Sequence, residues 1–280
     1  MPKIVHRRLT MIFLVLISVT ILIIRSWPDH RIHLIMCDVG QGDAFLVTVG
    51  FTQVLVDTGK DETVLRCLNQ HLPWWDRQLE LLIITHDDAD HSGGVSTIRD
   101  WYQVNLTLAP ANFCQKQSSA CFEPKVGECI LPHHRLEWCK LSPDTTEAIL
   151  SVAGTQKAST VTDNNDESMA FFAKLDKVRT TWLADIPSAR ELALLNAGLI
   201  SQTDILKVAH HGAKTSTNNE VVMKMLPEIS LISVGKNNRY GHPSPMVLEN
   251  LQKIGSQIYR TDQFGAVEIL IEDDQFWLAK

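Results

Sequence analysis

The 280 residues are 45% apolar and 21% charged, with 26 Lys and Arg against 32 Asp and Glu for a formal net charge of −6. These values suit a folded chain with one sizeable core and exclude a disordered or collagen-like polymer. The negative balance excludes nucleic-acid binding through bulk positive charge, so any phosphate must be held locally.

In chain order, Lys3, His6, Arg7 and Arg8 precede sixteen uncharged residues, Leu9 to Ile24, which Arg25 and Trp27 follow. A sixteen-residue helix spans only about 24 Å against about 30 Å of hydrocarbon, so snorkelling basic residues and the interfacial Trp are needed to complete a crossing. The run ends Ile-Leu-Ile-Ile-Arg rather than in small residues, which favours an uncleaved anchor over a removed signal. Basic residues before it place the N-terminus in the cytoplasm and the remainder in the periplasm or outside the cell. Residues 1–30 are therefore expected to be a membrane anchor and 31–280 a single catalytic domain.

From Ile32, "IHLIMCDV", "AFLVTV" and "QVLVDTG" read as three strands joined by tight turns. "DETVLRCLNQHL" has helical spacing, "LELLIIT" is a buried strand, "GGVSTIRDWY" a helix and "VNLTLAP" a strand. Residues 111–145 are polar and aperiodic, and are expected to be an inserted loop. They hold Cys114, Cys121, Cys129 and Cys139, whose spacings of seven, eight and ten suit disulfides in an oxidising compartment better than a zinc knuckle. Four cysteines allow three pairings, and all remain open. Cys37 and Cys67 stand apart from this cluster.

Strands resume at "ESMAFFAKL" and "RTTWLADI", followed by the helix "PSARELALLNAG" and the strand "DILKVAH". The alternation continues through "NEVVMKML", "ISLISVG", "SPMVLENLQKIG" and "AVEILI". Early hairpins argue for two layered sheets covered by helices rather than a doubly wound parallel sheet.

The chemistry concentrates at strand ends. "THDDADHSGG" puts His86, Asp88, Asp90 and His91 in a short loop after a buried strand, where several hard or borderline donors can converge on a divalent ion. Asp185, His210, His211 and His242 also follow strands, and one edge of a sheet is where α/β folds build sites. Lys214, Ser216, Asn238 and Arg239 lie in the same loops and offer donors to phosphate oxygens. Asp38, Gln41 and Asp43 of "DVGQGD" are expected either to support the site from beneath or, with the two glycines, simply to make a hairpin turn.

These motifs, in this order over nearly all of residues 31–272, resemble the metallo-β-lactamase fold, and specifically the hydrolase-like domain of the ComEC family of DNA-uptake competence proteins. The resemblance implies an αββα sandwich of two mixed sheets with helices on the outer faces, preceded by one transmembrane helix. It implies a site for one or two divalent ions, Zn2+ or Mn2+, with His86 and Asp88 on one metal, Asp90 and His91 on the other, and Asp185 bridging. His211 or His210, and His242, complete the ligand set, while Asp90, His210 and His211 take the catalytic roles. The broad superfamily has a second histidine where Asp88 stands and a glycine where Ala184 stands. Its usual middle histidine has no counterpart near "NNDES". The implied activity is hydrolysis of phosphodiesters, namely DNA degradation linked to uptake, with single-stranded DNA and a multi-span channel as partners. Competing expectations are hydrolysis of another ester, of phosphorylcholine or lactone type, and a non-catalytic DNA-contacting domain with a degenerate site. The chain is expected to be either a part or split relative of such a channel protein or a free-standing anchored hydrolase. The oligomeric state is open.

Overall fold

The computed structural model describes residues 2–117, 120–141 and 164–279. The apolar run becomes a helix over Pro2–Arg25. At 1.5 Å per residue these 24 residues reach about 36 Å, so the flanks supply the length that the sixteen-residue core lacks. Two of its hydroxyls are satisfied internally: Thr10 donates to the His6 carbonyl (2.9 Å) and Ser18 to that of Leu14 (2.9 Å). This is how polar side chains are tolerated in an apolar helix.

Fifteen strands follow among the described residues, in two mixed sheets. The first sheet contains β1 (Ile32–Met36), β2 (Phe45–Val49), β3 (Thr52–Val56), β4 (Gln78–Ile83), β5 (Gln103–Leu108) and β6 (Cys121–Phe122), with β14 (Val267–Glu272) and β15 (Gln275–Leu278) added beyond β1. Its order is β15-β14-β1-β2-β3-β4-β5-β6. The second sheet contains β7 (Cys129–His133), β8 (Leu136–Lys140), β9 (Phe171–Leu175), β10 (Val178–Trp182), β11 (Ile205–Lys207), β12 (Ile229–Ile232) and β13 (Gln257–Arg260), in the order β13-β12-β11-β10-β9-β8-β7. Pairing is antiparallel in the hairpins and parallel from β3 to β6 and from β10 to β13.

Strand alternation explains the layering. In β2, Phe45, Val47 and Val49 face the inter-sheet core, while Leu46 faces the helices Val64–His71 and Val95–Trp101 on the outer side. Phe45, Trp138 and Trp182 meet between the sheets, with Phe45 edge-on to Trp182 at 5.1 Å. Helices Ser188–Asn196, Asn219–Met225 and Pro245–Lys253 cover the far side of the second sheet. Both faces of both sheets are covered, and β2 is accordingly buried at all five positions.

One expectation needs correction. The 111–145 segment is not merely a loop: it contributes β6 to one sheet and the β7–β8 hairpin to the other. Trp138 is wholly buried, and Lys140 lies beside Glu123 at 2.6 Å, so a buried charge masks the alternation of β8 in the sequence. Residues 118–119 and 142–145 of that segment lie outside the described residues. The cysteines pair Cys114–Cys121 and Cys129–Cys139, and Cys37–Cys67 forms a third bridge.

Candidate metal centre

The ends of β1, β3 and β4 from one sheet, and of β10, β11 and β12 from the other, open onto one seam between the layers. The loop after β1 is pinned there: Asp43 N donates to the Asp90 carbonyl (3.1 Å) and Ser233 Oγ to the Gly42 carbonyl (2.6 Å). The loop after β4 is pinned to that after β3, with Thr58 N and Oγ1 both donating to the His91 carbonyl (2.7 and 2.9 Å).

Backbone strain collects in the same place. Asp57, Ala184, His210 and His211 all have φ between 48° and 57°, in the left-handed region that non-glycine residues seldom occupy. Ala184 thus has the conformation for which glycine is suited, which accounts for the residue expected there.

Three imidazoles have their tautomers set from outside. His91 Nδ1 lies 2.8 Å from Asp57 Oδ2, an acceptor only, so Nδ1 carries a proton and Nε2 is the nitrogen left facing inward. His211 Nδ1 donates to the Ser233 carbonyl (2.8 Å), with the same result. Thr85 Oγ1 donates its single proton to Asp57 Oδ2 (2.8 Å), so it accepts from His86 Nδ1 (3.0 Å) and His86 Nε2 is also left facing in. The Nε2 atoms of His86, His91 and His211, together with Asp185 Oδ1, are buried without a hydrogen-bond partner among the described residues. Unpartnered buried donors and acceptors are costly, and a cation at their convergence satisfies them.

Two overlapping groups have ligand atoms within 4.8 Å of one another: His86, His91 and Asp185, and Asp90, His91 and His211. Asp185 Oδ2 lies 3.4 Å from His91 Nε2 and 3.7 Å from His211 Nε2, and Asp90 Oδ2 lies 3.4 Å from His211 Nε2. Asp88 Oδ2 is 3.6 Å from His86 Nε2. These residues fit a divalent cation in donor type, convergence and burial.

The electrostatics agree. Burial alone would depress His91, but Asp185 and Asp57 outweigh it and hold the imidazole well above its ordinary value. For His211 burial is likewise outweighed, by Asp185 and Asp43, and its pKa is pushed up to about 10. Against the raising effect of burial, His91, His211 and Lys207 hold Asp185 far below the usual carboxylate range. The centre has an appetite for positive charge that protons or a metal can meet. Lys207, fully buried at the floor, donates to the Ala184 carbonyl (2.9 Å), contacts Asp43 and lies 3.5 Å from Asp185 Oδ1.

Other expected residues stand further out. His210 is at the rim, Nε2 3.8 Å from Asp185 Oδ2, and burial lowers its pKa. His242 lies beyond it, with ring centroids 5.9 Å apart, and belongs to neither converging group. The buried Ser216 hydroxyl is engaged with the Ala209 and Ala213 carbonyls (2.9 and 3.0 Å), and Asn238 clamps His242 N and O (2.9 Å each), so both hold their own loops rather than offering donors. Lys214 is exposed. Arg239 is exposed and lines a cleft of about 550 Å³ with Gln41, Lys60, Asp90, Asn238 and Tyr240. "NNDES" brings no histidine; Met169 N donates to the Thr85 carbonyl (2.9 Å), and the adjacent Ser168 is buried. Asp57, Thr85, Lys207, Lys60 and Tyr240 were not singled out from the sequence. Asp57 and Lys207 stand inside the motifs "VLVDTG" and "DILKVAHHG", as polar residues terminating apolar strands.

The metallo-beta-lactamase superfamily model matches residues 37–114. The chain is 28% identical over 262 residues to ComE operon protein 3 of Bacillus subtilis, covering 83% of this chain and 32% of that protein. It is 26% identical over 268 residues to Recombination protein 2 of Haemophilus influenzae, covering 94% of this chain and 32% of that one. The chain thus spans about a third of the length of these curated relatives. Among solved structures, the metallo-beta-lactamase fold protein YhfI from Bacillus subtilis superposes with a TM-score of 0.55 at 12% identity, over 89% of this chain and all of that one. The fold is the metallo-β-lactamase fold, and sequence and relatives are consistent with a ComEC-family hydrolase-like domain.

Proposed function

We propose that this chain is a metal-dependent phosphodiesterase that degrades single-stranded DNA outside the cytoplasmic membrane during DNA uptake. The observation that carries the reading is the convergence of three buried imidazole Nε2 atoms with Asp90 and Asp185. His86, His91, His211, Asp90 and Asp185 would hold the metal, with Asp88 beside His86; carboxylates alongside imidazoles suit Mn2+ as well as Zn2+. When bound, a divalent ion supplies Lewis acidity and lowers the pKa of water toward neutrality.

The chain's own residues do the rest. His91 and His211 hold Asp90 below its ordinary pKa against the effect of burial, so it is ionised and able to orient an attacking water. His210 stands at the rim beside Asp185 with its pKa lowered by burial, so it could take up the proton that the attacking water loses and give it to the leaving oxygen. The adjoining cleft offers Lys60 and Arg239 for phosphates and the exposed Tyr240 ring for a base, the combination that single-stranded nucleic acid requires. The names of two relatives, Recombination protein 2 and the 24% identical Competence protein ComA of Neisseria gonorrhoeae, support the uptake setting. Three disulfides suit an oxidising compartment, and residues 1–30 serve as the anchor of a domain comprising 31–280, insertion included. A multi-span channel protein is the partner this setting calls for.

The test is digestion of a labelled single-stranded oligonucleotide by the full chain loaded with Mn2+ or Zn2+. Asp90→Ala and Asp185→Ala are expected to reduce turnover by about 100-fold or more. Turnover that survives both substitutions overturns metal hydrolysis. Cleavage of bis(p-nitrophenyl) phosphate without cleavage of DNA points to a different ester.

A further inference from the structure

The end of the domain next to the apolar helix carries an unusual concentration of exposed aromatic rings. Trp27 is 61% exposed, Phe51 45% and Trp74 60%. Trp27 stands edge-on to Phe51 at 5.3 Å, and Trp74 edge-on to Trp75 at 5.3 Å. Trp27 and Trp74 share the wall of a cavity of about 450 Å³ with Arg25, the last helical residue. Amphipathic rings of this kind collect where a bilayer meets water.

The connection is short and tied down. Arg31 and His33 both hold Asp29 (2.9 Å each), and the Arg135 guanidinium grips the His30 carbonyl. Two carboxylates at this end are paired, Glu268 with His33 (2.6 Å) and Glu272 with His30 (3.2 Å), while Asp273 and Asp274 in the turn between β14 and β15 are exposed. The helix therefore fixes which end of the domain faces its membrane.

Strand direction then fixes where the metal centre lies. β1 leaves the helix end at Ile32 and reaches the site loop after Met36; β2 returns to Val49; β3 leaves again at Thr52, so the Gly50–Phe51 turn is at the near end. Trp74 precedes β4, again at the near end, and His86 follows β4 at the far end. Strands of five residues put about 17 Å between the two ends before the loops are added.

We propose that the turns bearing Trp27, Phe51 and Trp74 rest in the headgroup layer of the bilayer that the helix crosses, with the metal centre facing away into water. The inference rests on reading residues 1–30 as a membrane anchor. It requires the substrate to arrive from the aqueous side, as a soluble polymer does, rather than from the lipid.

The test uses the full chain reconstituted in phosphatidylcholine–phosphatidylglycerol vesicles containing lipid brominated at acyl carbons 6 and 7, with tryptophan emission as the readout. Trp138 and Trp182, buried between the sheets, give the unquenched baseline. Bromolipid is expected to quench part of the emission, Trp74→Phe to remove a quenched component, and Phe51→Trp to add one. If the chain floats with vesicles after a high-salt wash but neither substitution changes the quenched fraction, the docking face is overturned. If the chain does not float with vesicles at all, the anchor reading itself has failed. DNA cleavage by both variants in detergent verifies that they are folded.

Discussion

Thr85 has one hydroxyl proton, and its direction organises two imidazoles: given to Asp57, it leaves oxygen lone pairs for His86, while Asp57 orients His91. Asp57→Asn removes the charge that fixes His91 and is expected to weaken metal affinity by about 10- to 100-fold, the usual scale for a group orienting a ligand. Metal titration followed by calorimetry checks it, with an unchanged circular dichroism spectrum as the control for folding. Ala184 gives a prediction of opposite sign. Its φ of 48° strains any side chain, so Ala184→Gly is expected to keep or raise thermal stability, by up to about 1 kcal/mol, without loss of metal. At this scale the candidate ligands were legible where they crowd together, as from His86 to His91, because no ordinary turn needs two imidazoles and three carboxylates. Asp57 and Lys207 were not, since a lone polar residue ending an apolar strand also reads as the start of a turn. His242 follows a strand as expected, and its ring stands beside His210 at the rim.

Among elements, the loop between β1 and β2 is the most exacting. Gly42 has φ +124°, and a Cβ there would meet the Asp90 carbonyl oxygen at 2.1 Å. Gly42→Ala must push the candidate ligand loop away, and is expected to lower the proposed DNA cleavage by at least about 10-fold, as a displacement on the ångström scale does at a reacting centre. Parallel measurement of thermal melting separates this from loss of the fold. Helix Ser188–Asn196 holds the segment beyond the two site histidines through Glu191, whose carboxylate accepts from Thr217 N (2.8 Å) and Asn218 N (2.6 Å). Burial nonetheless pushes Glu191 up to about 7 from 4.5. The folded state then binds this proton more tightly than the unfolded chain, so the contribution of Glu191 is full below pH 4.5 and declines as pH rises toward 7. Denaturant unfolding at pH 5 and pH 8 is expected to show a larger loss for the wild type than for Glu191→Gln, by an amount on the order of 3 kcal/mol. A difference of the opposite sign would refute the assignment. Long periodic segments such as Pro245–Lys253 were legible as helices, and the hydrophobic runs as strands. The β7–β8 hairpin was not, because its strands carry charged and histidine residues and take their register from β9, far along the chain.

Over the whole molecule, the disulfide between Cys37 and Cys67 ties the end of β1 to the helix on its outer face across 30 residues of sequence. Closing a loop of that length in the unfolded chain corresponds to about 3 to 4 kcal/mol. Replacing both cysteines with alanine is expected to lower the melting temperature by several degrees, measurable by calorimetry, while leaving the ligand loops in place. The layered architecture was legible from the order of strands and helices, whereas pairing between distant cysteines depends on tertiary proximity that spacing does not encode.

The centre draws on both layers: Asp57, His86, Asp90 and His91 come from loops of the first sheet, Asp185 and His211 from loops of the second. A cation seated there acts as a rivet through the sandwich. Its affinity for the assembled seam adds to the cohesion of the two halves, by about 2.7 kcal/mol at a hundredfold excess over the dissociation constant. Chelation should therefore soften the entire body, visible as faster amide exchange in β4 and β11 together, and not only silence its chemistry.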